Sequence, residues 1–501
     1  MNVVILSRAK YCGQQLAGRK QPLMKNLSHK LVTCNTRFRH FVPVLLLVMF
    51  VCAPAAAQTN NGGNNNGGGG NNQNNQQNAG GITIDADGVV SLPFQVTQNS
   101  SQLNQRRLQA IAAKSLPGDV NQKSEFRKIS LVELEKVCRE LKAKNQPLPS
   151  EVQYLAGLSR IDYLFVDRKH NDLIIAGPAE GFAANAQNRV VGVETGRPPL
   201  RLDDLVVAFQ SQDRGLVTGC SFDAKTENLA RMNEYIHRTN DASSAETAVT
   251  RFRTMAQILG MQDVSVTGVP AGSHYARVLV EADYMLKRIS IGLEPSGIRE
   301  IKSHLATLRG GGNSTQRWWF TPLYDAFITT ADRDAFQFSG QRLQMMSQEE
   351  FVNQAGQRTD AAQTRLSTTK YAQQFTKNFA KLADQHPTFA ELQSITDLTV
   401  LAALIKKERL EELVGWEHRF FSSETEFLVP EGNIPKQVPT AMNYKQAGRL
   451  MICLVGGGVT VNARAVVNQT EFQTSRDQSL DEKLKAASDR GQEKTVRWWW
   501  D

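Results

Sequence analysis

Cysteine is scarce in this chain: six in 501 residues, with no two at CxxC spacing. That spacing speaks against a disulfide-stapled scaffold, a zinc ribbon or a thioredoxin-like redox centre. Histidine is nearly as sparse at eight, none at HxH, HxxxH or HExxH spacing, so no local metal site is expected. GxSxG and GxxxxGK[ST] are absent as well. The SxxK at Ser367–Lys370 lacks the KTG that accompanies it in penicillin-recognising enzymes, and a helix cap explains the same letters. No cofactor is expected. Acid is missing from residues 1–57, and charge of either sign from residues 58–81.

What the first of those stretches does contain is informative. Arg8, Lys10, Arg19, Lys20, Lys25, Lys30, Arg37 and Arg39 approach Phe41–Ala57, 17 consecutive apolar or small residues ending in three alanines before Gln58. A basic approach, an apolar core and small residues describe an export signal, with cleavage expected between Ala57 and Gln58. A start at Met24 would shorten the approach to an ordinary length. The competing reading is a retained anchor, but a span needs about 20 apolar residues, and Pro43 and Pro54 interrupt this one. Cleavage removes eight basic and no acidic residues. The full balance of 58 Lys+Arg against 49 Asp+Glu then becomes 50 against 49, or +1. A nearly neutral chain lacks the field that gathers nucleic acid, so no nucleic-acid partner is expected, and membrane contact only through the export signal.

Residues 58–81, almost entirely Asn, Gly and Gln, cannot build a core and read as a disordered linker. Ile82-Thr83-Ile84 and Val89-Val90 flank a hairpin turn at Asp85–Gly88. Ser130 and Glu133 form a capping box that opens a helix with Leu131, Leu134, Cys138 and Leu141 in one stripe. Short apolar runs at 163–166, 173–176, 189–194 and 216–222 read as strands. Helical periodicity covers 203–210, 224–237, 247–259 and 276–287. Arg309–Ser314 reads as a joint. Beyond it come a meander over 317–338, helices over 370–383 and 389–405, strands at 438–442 and 449–455, a glycine loop at 456–458, and a polar tail over 469–501. The expected fold is α+β, in two subdomains covering 82–309 and 317–468 with short, mostly antiparallel sheets.

A set of phrases carries a resemblance. They include Ile161–Val166, Ala176–Gly181, Thr195–Pro198, Leu202–Val206, Cys220–Asp223, Val278–Tyr284 and Arg317–Phe320. Over about residues 125 to 465 the chain resembles a family of exported, uncharacterised proteins from planctomycete-type bacteria, described as a domain of unknown function. The resemblance implies a bacterial, envelope-side or secreted setting and no catalytic residue. It also implies that the sequons at Asn99, Asn313 and Asn468 are chance.

Among acids, Asp283 falls on the apolar stripe of the 276–287 helix, where an ionised carboxylate must be paired. Lys287, four residues on, is the expected partner, and Arg277 with Glu281 makes a second pair. The functional alternative places Asp283 with Glu180 or Arg197, from glycine-flanked loops, in a polar cleft. Glu180 and Asp283 are thus the catalytic candidates. Trp318 and Trp319 must point to opposite faces of a strand. With Arg197 they are the candidate binding surface. Trp498–Trp500 could bind a partner or a carbohydrate, or simply cap the fold. The expected function is an exported binding, structural or assembly module, partnered by an envelope protein or carbohydrate. The alternative is an extracytoplasmic hydrolase using scattered carboxylates.

Overall fold

Alternation at period two decides the strands. Along Met261–Thr267, Val264 and Val266 pack toward a hydrophobic core while Met261, Asp263, Ser265 and Thr267 face solvent. The computed structural model describes residues 83–84, 90–91, 99–239, 245–308, 315–360, 364–447, 449–490 and 497–501. All lie in the unit Leu47–Asp501. The run Phe41–Ala57, the Ala57–Gln58 junction, the 58–81 segment and the Arg309–Ser314 joint fall outside the described residues.

Elements are numbered along the chain. The larger sheet runs β14 (Arg358–Asp360), β13 (Arg342–Val352), β10 (Thr315–Leu323), β17 (Arg449–Val461), β8 (Thr218–Asp223), β9 (Met261–Thr267) and β15 (Gln437–Pro439), with β16 (Met442–Ala447) folded back on β17. The second runs β18 (Phe472–Thr474), β11 (Phe327–Thr329), β12 (Ala335–Gln337), β4 (Tyr163–Asp167), β5 (Asp172–Ala179), β3 (Ser124–Ser130) and β19 (Trp499–Trp500). Two small hairpins, β1 (Thr83–Ile84) with β2 (Val90–Ser91) and β6 (Phe182–Ala184) with β7 (Val190–Gly192), complete the strands. Every pairing between named strands is antiparallel except β10 with β17 and β11 with β18.

Helices cover these sheets. The larger sheet buries its inner face under α7 (His274–Ser290), α9 (Leu366–Lys377), α10 (Phe379–Gln385) and the first half of α11 (Pro387–Lys407). The second sheet packs on α2 (Leu131–Ala143), α4 (Leu202–Asp213), α14 (Ala463–Gln469) and the second half of α11. Its far face takes α15 (Ser479–Ser488). The pair α5 (Thr226–Arg238) and α6 (Ala245–Leu259) packs on β16 and the start of β17. Helix α1 (Asn99–Ser115) lies beside β6. The single turns α3 (Ser150–Gln153), α8 (His304–Thr307), α12 (Leu410–Val414) and α13 (Arg419–Ser422) join larger elements.

The architecture is α+β, as expected. The division near residues 309–317 does not separate the sheets, however. The larger sheet takes β8 and β9 from before it and β10 and β13–β17 from after it, while the second sheet mixes both sides in the same way. Helix α11 also threads both cores, with Phe389, Leu392 and Ile395 in one and Leu398–Ile405 in the other. At 21 residues it is long and apolar enough to cross a membrane, yet Thr388–Ile405 are buried inside this body and Lys406 and Lys407 are exposed. Glycine-rich composition marked a connection, not a boundary between cores.

Other expectations are corrected. Gly456–Gly458 is the middle of the long central strand β17, not a loop. A Cβ on Gly457, at φ +141°, would stand 1.6 Å from the Trp318 carbonyl, so only glycine lets these strands approach. The 317–338 meander is split: β10 belongs to one sheet and β11–β12 to the other. The 370–383 helix breaks at Asn378, and α9 begins at Leu366 with no side-chain cap, so Ser367 lies inside it. The described parts of the tail, 469–490 and 497–501, are structured: they include α15, β19 pairs with β3, and Trp498 and Trp499 are buried in the core. Fully buried Arg127 holds the Asp501 carboxylate through two 2.8 Å hydrogen bonds.

Candidate functional site

The candidate residues do not converge on one site: Asp283 lies apart from the loop that holds Glu180 and Arg197. Asp283 and Lys287 sit one turn apart on α7, both 0 % exposed, with Lys287 Nζ donating to Asp283 Oδ2 at 2.9 Å. The ammonium also donates to the Phe222 carbonyl at 3.2 Å and lies 3.4 Å from that ring's centroid. Burial pushes the Asp283 carboxyl up to about 6, with Lys287 pulling against it. The expected ion pair is present and fully enclosed. The second expected pair is not what Glu281 makes: it accepts from Arg189 of β6–β7 and from Thr388 Oγ1 of α11, the latter at 2.8 Å.

Glu180 is a loop tie. Its carboxylate accepts from the Glu194 amide at 2.7 Å and from the amide and hydroxyl of Thr195. Gly192 leaves it room, since a Cβ there would stand 2.0 Å from Oε1. Thr195 Oγ1 accepts in turn from the Arg197 amide at 3.1 Å. The Arg197 guanidinium reaches across to Asp384 Oδ1 at 2.7 Å and Gln393 Oε1 at 2.8 Å. Glu180 and Arg197 therefore share one loop, and Asp283 touches neither.

Sequence reasoning missed a larger buried polar junction where that loop meets α4, α7 and α11. Arg189 bridges Glu281 and Glu391, Arg201 forks onto Asp203 with two 2.9 Å bonds, and His274 Nδ1 lies 2.8 Å from Asp204 Oδ2 and its Nε2 3.7 Å from Glu391. Burial raises Asp204 despite His274. Burial also opposes ionisation of Glu391, but Arg189 and His274 bring it down to about 2. Three arginines at 189, 197 and 201 in one connection, facing acids on apolar helices, were the signal available in the sequence. Among the described residues, no group of three or more His, Cys, Asp or Glu is arranged to hold a metal ion.

Trp318 and Trp319 separate as the pleat requires. Trp318 is fully buried against His304 and Tyr371, whereas Trp319 stands half-buried on the outer face of the larger sheet. Register places Met346, Trp319, Gly458, Ser221 and Ser265 in one row across five strands, β13 to β9. The next row carries Thr460, Gly219 and Thr267, beside Gln344 and Thr321. Met346 is 38 % exposed, and Thr460, Ser265 and Thr267 are exposed too. Ser221 and Ser265 hydroxyls lie 2.9 Å apart.

The charges bordering this face are neutralised in place. Arg317 pairs with Glu350 at 3.1 Å, Arg358 with Asp223, and Lys225 with Asp263 at 3.1 Å, while Gln437 also donates to Asp263. Gly456 makes room for one of these bridges: a Cβ there would stand 3.0 Å from Asp223 Oδ1 and 3.4 Å from Arg358. Among the described residues, the α5–α6 pair covers the outer face at the β16–β17 end, while in the Trp319 row Trp319 and Ser221 stay half-buried and Met346 and Ser265 exposed.

No curated protein and no solved structure matches the chain. Residues 220–304, which supply β8, β9, α5, α6 and α7 to this arrangement, match the model of a family described as a protein of unknown function (DUF1598).

Proposed function

We propose that the protein is an exported binding module of the cell envelope, working through the outer face of its larger sheet. The observation that carries this reading is the contrast between buried and open chemistry. Asp283, Asp204 and Glu391, whose carboxyls are displaced from their ordinary range, lie enclosed and are held by Lys287, His274 or Arg189. Such enclosed pairs serve packing and register. Among the described residues, the outer face of the larger sheet instead presents a half-buried indole beside exposed Met346, Ser265, Thr267 and Thr460. The basic approach and apolar run ending at Ala57 support export.

Two measurements test it. N-terminal sequencing of protein from the native host should begin at Gln58; a chain still carrying Phe41 and found in the cytosol contradicts export. Purified protein should co-sediment with isolated envelope material. Thr321→Lys with Met346→Lys should abolish that retention while leaving the melting temperature within a few degrees. Undiminished retention by this folded double variant contradicts the assignment of the face.

A further inference from the structure

Taking the outer face as the binding surface, on which this step rests, we propose that its occupant is an uncharged glycan chain, stacked on Trp319 and hydrogen-bonded by the hydroxyl and amide side chains around it. Charge comes first. Arg317, Asp223, Asp263, Arg358 and Lys225 are each engaged by an opposite partner, so among the described residues the face offers neither free cations nor free carboxylates. A polyanion such as nucleic acid or a sulfated glycan is held through cations that find its charges, and none is spare among the described residues of this face. A strongly basic partner lacks its acids for the same reason.

Apolar content comes second. A helix or sheet from another protein docks on a desolvated greasy centre. This face offers Trp319 and Met346, with glycine, serine and threonine between and beside them: Gly458, Ser221, Ser265, Gly219, Thr267, Thr460. A pairing strand would need a free sheet edge, whereas Trp319 stands in β10, flanked on both sides by β13 and β17. What remains is a ligand with hydroxyls to exchange and C–H surfaces to lay on a ring.

The fit to a sugar chain is chemical and geometric. An indole presents a flat, electron-rich face that accepts C–H groups and excludes water from them. Ser, Thr and Gln side chains both donate and accept, which suits hydroxyls that do the same. Gly458 and Gly219, which carry no side chain, keep the platform beside Trp319 low, so a flat ligand can lie across it. From β13 to β9 the platform spans four strand spacings, about 19 Å, room for more than one ring.

The test is calorimetric titration of the full chain with soluble, uncharged oligomers of glucose, mannose and N-acetylglucosamine, with heparin as the anionic comparison. At least one neutral series should bind more tightly as it lengthens, and heparin should not bind. Trp319→Ala should weaken binding about tenfold or more, the loss of a central aromatic anchor, and Trp319→Phe should keep most of it. Should Trp319→Ala fold poorly, Thr460→Lys tests the same face from an exposed position and should also weaken binding. Binding equal to wild type in a folded Trp319→Ala, or no binding to any neutral series, overturns the glycan assignment. Envelope retention that survives glycan digestion but not protease treatment overturns it too, while leaving the binding-module reading standing.

Discussion

Lys287 shows what a single enclosed charge demands. Its ammonium and the Asp283 carboxylate are both fully buried, and removing one leaves the other uncompensated. Lys287→Met should cost about 3–5 kcal/mol in chemical denaturation, and pairing it with Asp283→Leu should restore part of that; a neutral single variant contradicts the account. His274 makes a pH-dependent counterpart. Burial opposes its charged form, but Asp204, by charge and hydrogen bond, and Glu391 outweigh burial and raise its pKa against the field of Arg201. A raised folded value means the ring adds stability that is fully present below its ordinary pKa and is lost as pH rises through the folded value. In His274→Gln, that part of the decline in melting temperature toward alkaline pH should vanish; an unchanged slope contradicts the pairing. Of these residues, the Asp283–Lys287 pair was legible because a four-residue spacing on an apolar stripe is local information. The partners of Arg189, His274 and Glu180 were not, because they are set by which loop crosses which helix.

At the scale of elements, local signals were reliable and contextual ones were not. The Ser130 cap was readable and its hydroxyl does accept from the Glu133 amide. The stripes of α2 and α7 were readable as well. Three consecutive glycines read as a loop by composition, yet tertiary contact holds them extended between β10 and β8. Strand β9 was missed because its exposed side is polar and its inward side carries only Gln262, Val264 and Val266. Since a Cβ at 457 would meet the Trp318 carbonyl with φ in a glycine-favoured region, Gly457→Ala should cost at least about 2 kcal/mol and broaden amide signals across β10, β17 and β8. A substitution without effect on stability would mean that these strands are further apart than described.

The whole molecule is held by connections that sequence distance concealed. Residues on both sides of 309–317 share each sheet, α11 runs through both cores, and the C-terminal Trp499–Trp500 strand closes the edge beside β3. Arg127, held by the carbonyls of Val120, Ala156, Asp119 and Gln122, presents its remaining fork to Asp501 while Trp499 lies 4.6 Å from it. Deleting 498–501 strips a buried guanidinium of its carboxylate and the core of Trp498 and Trp499. It should destabilise the whole body by roughly 3 kcal/mol or more in a single transition. A separate transition for one sheet would contradict the fused core. The same fusion joins the five strands from β13 to β9 in one hydrogen-bonded platform, on which the proposed function depends. Hydroxyl-radical footprinting of the intact protein, alone and bound to envelope material, tests that platform most directly. Protection should concentrate on Trp319, Met346 and the 261–267 strand, whereas protection confined to other surfaces, with Trp319 as reactive as in the free protein, would contradict it.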